Sequence, residues 1–112
     1  MSGPGLQVFK ADFFRALAHP VRIRILETLA AGDRSVQELQ QALDLRQSVV
    51  SQQLAVLRTR NIVDARKVGT TVRYELSDPL VTKLLAVARE IFNRHLVGTQ
   101  SMLKELQRER RR

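Results

Sequence analysis

The sequence predicts a mainly α-helical chain with one small β-hairpin, its elements in the order α-α-α-α-β-β-α. Three observations carry that reading. Apolar residues recur at spacings of three and four through most of the chain, the repeat of helices that bury one stripe. Between Asn61 and Ser77 the pattern changes to runs rich in β-branched residues on either side of a glycine. Prolines, glycines and a capping box punctuate the helical runs. With 112 residues, 44% of them hydrophobic, the chain fits one compact domain with its own core.

Residues 1–7 read as a flexible tail. From Val8 to Ala18, Phe9, Phe13 and Leu17 fall on one helical face with Phe14 beside them. His19-Pro20 breaks that helix, because the residue before a proline resists the helical region while proline suits a first turn. The second helix, Pro20 to Ala31, turns Val21, Ile25, Leu26 and Leu29 inward and stops at Gly32. Ser35-Val36-Gln37-Glu38 is a capping box that opens a short third helix with Val36, Leu39, Ala42 and Leu43 apolar. Asp44-Leu45-Arg46 makes a turn into a fourth helix. Ile62 to Arg66 and Thr71 to Leu76 form the hairpin, with Lys67-Val68-Gly69-Thr70 as its basic tip. Asp78 then caps a long last helix, about residues 78–107, with Pro79 at its first position. Its stripe runs Val81, Leu84, Leu85, Ala88, Ile91, Phe92, His95 and Leu96, and resumes at Met102, Leu103 and Leu106. Residues 8–107 thus form a single domain, and 108–112 a basic, frayed tail.

The fourth helix, "RQSVVSQQLAVLR" over residues 46–58, has an unusual polar face. Val50, Leu54 and Leu57 make its buried stripe, yet the other side holds short hydrogen-bonding groups and no acid. A solvated helix would be filled with paired Glu and Lys. The net charge of +8 is also unevenly placed. Residues 1–45 are neutral, whereas residues 46–73 carry six basic side chains against Asp64 alone. A face free of carboxylates in a basic segment suits a polyanion. Two short helices joined by a turn and followed by a basic hairpin describe a winged helix-turn-helix, which lays its second helix in the DNA major groove. Gln47, Ser48, Ser51, Gln52 and Gln53 are then the candidates to meet base edges. Arg46, Arg58, Arg60 and, on the wing, Arg66, Lys67, Thr70 and Arg73 are the candidates for backbone contact.

The stretch from Phe13 to Asp78 resembles the ArsR-type winged-helix regulators of bacteria, the arsenic- and metal-sensor family. The matching pieces are Leu17-Ala18-His19-Pro20 with Arg22-Ile23-Arg24-Ile25-Leu26, then Ser48-Val49-Val50-Ser51 leading to Leu54 and Leu57, and Val72-Arg73-Tyr74-Glu75-Leu76. The likeness covers roughly residues 8–96. It implies a homodimer that represses transcription from a palindromic operator and releases it when an effector binds. This chain also departs from the family. Arg46 stands where a serine often opens the recognition helix, and Gln53 where a histidine is common. The sensor cysteines are absent, as are the paired Asp and His of the last helix, so the resemblance leaves the effector open.

More apolar surface is present than a three-helix core can cover. A two-fold dimer through the first and last helices would bury it, with Phe9, Phe13, Leu84, Ala88, Ile91, Phe92 and His95 in the interface. Without cysteine there is no thiolate metal site and no hold for arsenite beyond the thioethers of Met1 and Met102. His19, Glu90 and His95 are the weak candidates for zinc or nickel; packing roles for both histidines are the simpler reading. No catalytic constellation is visible, which argues against an enzyme. No run approaches the ~20 apolar residues of a membrane span and no signal peptide is visible, so the expected place of work is the cytoplasm, on the bacterial nucleoid. Two other readings fit the same elements. A protein-interaction module would not need the concentrated positive charge, and a nonspecific nucleoid-binding protein would show little sequence preference.

Overall fold

The computed structural model describes residues 4–111. In chain order the elements are α1 (Pro4–Leu17), α2 (Pro20–Ala30), β1 (Arg34–Ser35), α3 (Val36–Leu43), α4 (Gln47–Thr59), β2 (Val63–Val68), β3 (Thr71–Leu76) and α5 (Pro79–Arg111). The predicted helices and hairpin are present. The ends differ. Residues 4–7, expected as tail, form the first turn of α1, where Pro4 fits because a first-turn N–H has no helical partner. Gly98 does not interrupt α5, and residues 108–111, expected to fray, continue it. The rest of the two expected tails, residues 1–3 and 112, lies outside the described residues.

Local chemistry explains each boundary. His19 is extended, and its ring Nδ1 accepts the Val21 N–H at 3.1 Å, so it caps α2 with a side chain that sequence alone leaves unassigned. Gly32 follows the end of α2 at φ +148°, and a Cβ there would lie 3.1 Å from the Arg34 guanidinium. The capping box forms as predicted: Ser35 Oγ accepts the Glu38 N–H at 3.1 Å, and Glu38 Oε1 accepts the Ser35 N–H at 3.0 Å. Asp44 closes α3 in the left-handed region at φ 55°, a conformation Asp tolerates. Asp78 Oδ1 accepts the Leu80 N–H at 2.9 Å and opens α5.

The sheet corrects the expected hairpin. It has three antiparallel strands in the order β1-β3-β2. Gly69, at φ 63°, allows a two-residue turn, so Lys67 and Val68 join the ladder opposite Val72 and Thr71 instead of forming a tip. The added strand β1 pairs Arg34 with Tyr74 and Ser35 with Arg73. Two residues are too few to show alternation, but they cover the edge that β3 would otherwise leave open.

The core is the meeting place of α2, α3, α4 and β2. Ile25, Leu26 and Leu29 come from α2, Leu39 and Leu43 from α3, Val50, Leu54 and Leu57 from α4, and Ile62 and Val63 from the start of the wing; all are buried. Of the residues expected inward, Val21 is half-buried and Ala42 exposed. Two compact units are present, Met1–Thr82 and Lys83–Arg112. A long helix can stand as its own unit because its backbone bonds are satisfied within the segment. Several apolar side chains remain exposed, among them Phe9 and Phe14 on α1 and Ile91, Phe92 and Leu96 on α5.

Leu54 is 1% exposed and carries the seating of α4. Leu54→Ala is expected to cost about 2–5 kcal/mol of unfolding free energy by urea titration. A loss well under 1 kcal/mol would show that α4 is held by something else.

Candidate nucleic-acid interface

The buried stripe of α4 determines what its other face presents. With Val50, Leu54 and Leu57 inward, helical geometry turns Gln47, Ser48, Ser51 and Gln52 outward, and all four are exposed. Gln53 departs from expectation. It is half-buried, and its Oε1 accepts a 3.1 Å bond from Arg22 Nη1 of α2. Arg22 also donates to the Arg15 carbonyl at 3.2 Å, so the pair ties α4 to α2 and the end of α1. Gln53 is therefore a support for the helix and not a member of its exposed face. Three residues after Val50 and next to Leu54, it lies at the margin of the buried stripe, within reach of α2.

Cations flank this face, though fewer than the charge count along the chain suggests. Arg46, extended just ahead of α4, makes no side-chain cap and is exposed. Arg58 and Arg60, at the end of α4, and Lys67 on β2 are exposed too. None of these four has an ion-pair partner among the described residues. Thr70 is exposed in the turn between the strands. A shallow groove lined by Ser51, Ala55, Arg58, Thr59 and Tyr74 separates α4 from β3.

Arg66 and Arg73, expected as wing contacts, are already engaged. Arg73 Nε meets Asp33 Oδ2 at 2.9 Å, its Nη2 meets the Asp33 carbonyl at 3.1 Å, and its Nη1 meets Glu38 Oε1 at 2.8 Å. Arg66 Nη2 reaches the same Asp33 oxygen at 3.0 Å, with Glu75 at 3.9 Å from its Nε. Three carboxylates from outside the basic segment thus neutralise two of its arginines. The Arg73 hydrogen bond, with the charges of Arg73 and Arg66, holds the Asp33 carboxyl below the usual carboxylate range. The Ser35 N–H and then Arg73 do the same for Glu38, and both acids raise Arg73 in turn.

A family model described as "bacterial regulatory protein, arsR family" matches residues 19–65, the span from the α2 cap into β2. The HTH-type transcriptional regulator Rv0081 of Mycobacterium tuberculosis is 45% identical over 107 residues, 95% of this chain and 94% of that protein. This chain belongs to the arsR family. The crystal structure of Rv0081 superposes with a TM-score of 0.79 at 47% identity, covering 88% of this chain and 98% of that one. The biofilm growth-associated repressor of Agrobacterium fabrum is 42% identical over 73% of this chain and 70% of that protein. A homodimeric winged helix-turn-helix DNA-binding domain of Mycobacterium bovis, solved by NMR, matches with a TM-score of 0.75 at 30% identity, over 86% of this chain and 94% of that one.

The metal candidates of this arsR-family chain lie at the cap of α2 and on α5. His19 spends Nδ1 on the α2 cap, Glu90 pairs with Arg94 at 2.8 Å, and His95 is exposed on α5. Among the described residues no three His, Asp or Glu side chains form a group that could hold a metal ion. Sequence reasoning missed Arg22, Asp33, Glu38 as a wing partner, and Tyr74. The acids carried only a faint signal, since they precede the basic segment with Asp44 nearer to it, and their pairing spans 33 to 40 residues.

Carboxylates held below their usual range stabilise the fold above it, and that contribution is lost as pH falls through their lowered values. Arg73→Ala is therefore expected to lower the melting temperature at neutral pH, with the gap to wild type closing as pH drops below about 4. A gap independent of pH in thermal melts would deny Asp33 and Glu38 that role.

Proposed function

We propose that this chain is a homodimeric transcriptional repressor that reads a two-fold-symmetric operator with α4 in the major groove, and whose operator affinity an effector modulates. The observation that carries the reading is the exposed, acid-free face of Gln47, Ser48, Ser51 and Gln52, fixed from behind by Val50, Leu54 and Leu57. Short donors and acceptors can approach base edges, and the absence of carboxylates there avoids repulsion by phosphate. Arg46, Arg58, Arg60 and Lys67 supply backbone contacts around it, and Thr70 carries the turn of the wing toward the adjacent groove. Rv0081 and the Agrobacterium repressor support regulation of transcription, and the Mycobacterium bovis domain supports a two-fold assembly.

Dimerisation follows from exposed apolar surface. Phe9 is 74% exposed and Phe92 63% in the single chain, and burying each such ring is worth roughly 1.5–3 kcal/mol. Ile91 and His95 share the exposed run of α5, Leu84 and Ala88 are half-buried, and Phe13 packs edge-on to Phe14 at 5.6 Å. The reading is of a DNA-binding protein, not an enzyme, that works in the cytoplasm on the nucleoid. Among the described residues no helix is long and apolar enough to cross a membrane.

Selection of duplexes from a random pool is expected to return a palindromic motif. Gln52→Ala should then change the preferred base at one position per half-site, a discrimination of about 1–3 kcal/mol. An unaltered motif would remove Gln52 from the reading face, and binding without any motif would mark a nonspecific DNA-binding protein. Light scattering is expected to give twice the chain mass at micromolar concentration, reduced by Phe92→Asp; a wild-type monomer would overturn the dimer.

A further inference from the structure

Arg73 sits where the wing joins the helix-turn-helix. The ladder between them is short: β1 holds β3 by two residue pairs, Arg34 with Tyr74 and Ser35 with Arg73. Across that line the Arg73 guanidinium makes a three-point hold, to the Asp33 carboxylate, the Asp33 carbonyl and Glu38 Oε1. The same Glu38 oxygen accepts the Ser35 N–H of the capping box. One carboxylate oxygen therefore ties the first turn of α3 to the wing. A planar guanidinium fork can satisfy three acceptors in fixed directions, and an ammonium cannot reproduce that geometry.

We propose that Arg73 is a positioning residue for DNA binding: acting through Asp33 and Glu38, it sets the angle of the wing against α3 and α4 and touches no DNA itself. The inference rests on the reading of α4 and the wing as the DNA-binding surface. Its chemistry separates it from Arg66, which shares Asp33. The Arg73 side chain is 28% exposed and engages every nitrogen, whereas the Arg66 side chain is 53% exposed with one short bond. Arg66 can exchange that bond for a phosphate while Arg73 keeps the carboxylate in place. A wing already held at its bound angle spares the ordering cost that a loose wing would meet on binding.

Three variants, Arg73→Ala, Arg73→Lys and Lys67→Ala, decide the matter through operator affinity at several salt concentrations and amide hydrogen exchange in the DNA-free protein. Arg73→Ala and Arg73→Lys are expected to weaken operator binding alike, by roughly tenfold, the scale of ordering one or two side chains. Both should leave the slope of affinity against salt unchanged and speed exchange of the β2–β3 amides. Lys67→Ala should lower the slope by about one and leave exchange as it was. Retained affinity in Arg73→Lys would overturn the proposal, because a phosphate contact needs only the charge. So would a slope lowered by about one in Arg73→Ala with wing exchange unaltered. Should Arg73→Ala fail to fold, Arg73→Lys carries the same comparison. A wild type that selects no DNA sequence overturns the operator reading and this role together, whereas the outcomes above overturn this role alone.

Discussion

Val50, Leu54 and Leu57 are almost wholly removed from water, on α4, which packs on α2, α3 and β2. At about 1.5–3 kcal/mol for each fully buried side chain, this stripe is the main force that holds the helix in one rotation about its axis. A helix free to rotate would present a changing mixture of side chains, and hydrogen bonds to base edges demand fixed ones. The exposed face of Gln47, Ser48, Ser51 and Gln52 is thus a consequence of what lies behind it. Arg22 adds a polar pin on the same side through Gln53, reaching to the last turn of α1. That pin removes a glutamine from the surface and adds a restraint on the helix.

Charge is redistributed by folding in a way that narrows the cationic surface. Asp33 and Glu38 precede the basic segment, Glu75 follows it, and all three meet its arginines in space. The cations of that segment without carboxylate partners among the described residues, Arg46, Arg58, Arg60 and Lys67, bracket α4 and edge the wing. Such a distribution concentrates positive charge beside α4 and leaves the base of the wing neutral. Exposed single ion pairs contribute little to stability. Their value here is geometric, because the fork of Arg73 constrains direction as well as distance.

Membership in the arsR family and the exposed apolar runs of α1 and α5 belong together physically. In the proposed two-fold assembly a second copy would offer the same surface in complementary orientation. The missing thiols restrict what can act on such an assembly. No thiolate is present to hold a soft metalloid, and of the two imidazoles His19 caps α2 while His95 is exposed on α5 in the single chain.

Much of this molecule was written in local pattern. The helix repeats, the Ser35–Glu38 capping box, Pro20 and Pro79 at helix starts and Gly69 in the wing turn each depend on neighbours a few residues away, so composition and spacing specify them. The acid-free face of α4 and its buried stripe were legible for the same reason, and so was the likeness to the family. The strand β1, the turn of Gln53 toward Arg22 and the capture of Arg66 and Arg73 by Asp33, Glu38 and Glu75 were decided only in three dimensions. The strand, the Gln53 bond and the capture by Asp33 and Glu38 bring together groups 31 to 40 residues apart, and Glu75 nears Arg66 only through the pairing of β2 with β3. Periodicity records which face of a helix avoids water, whereas the partner of a charge depends on distance in the folded chain, and that distance exists only after the core has closed.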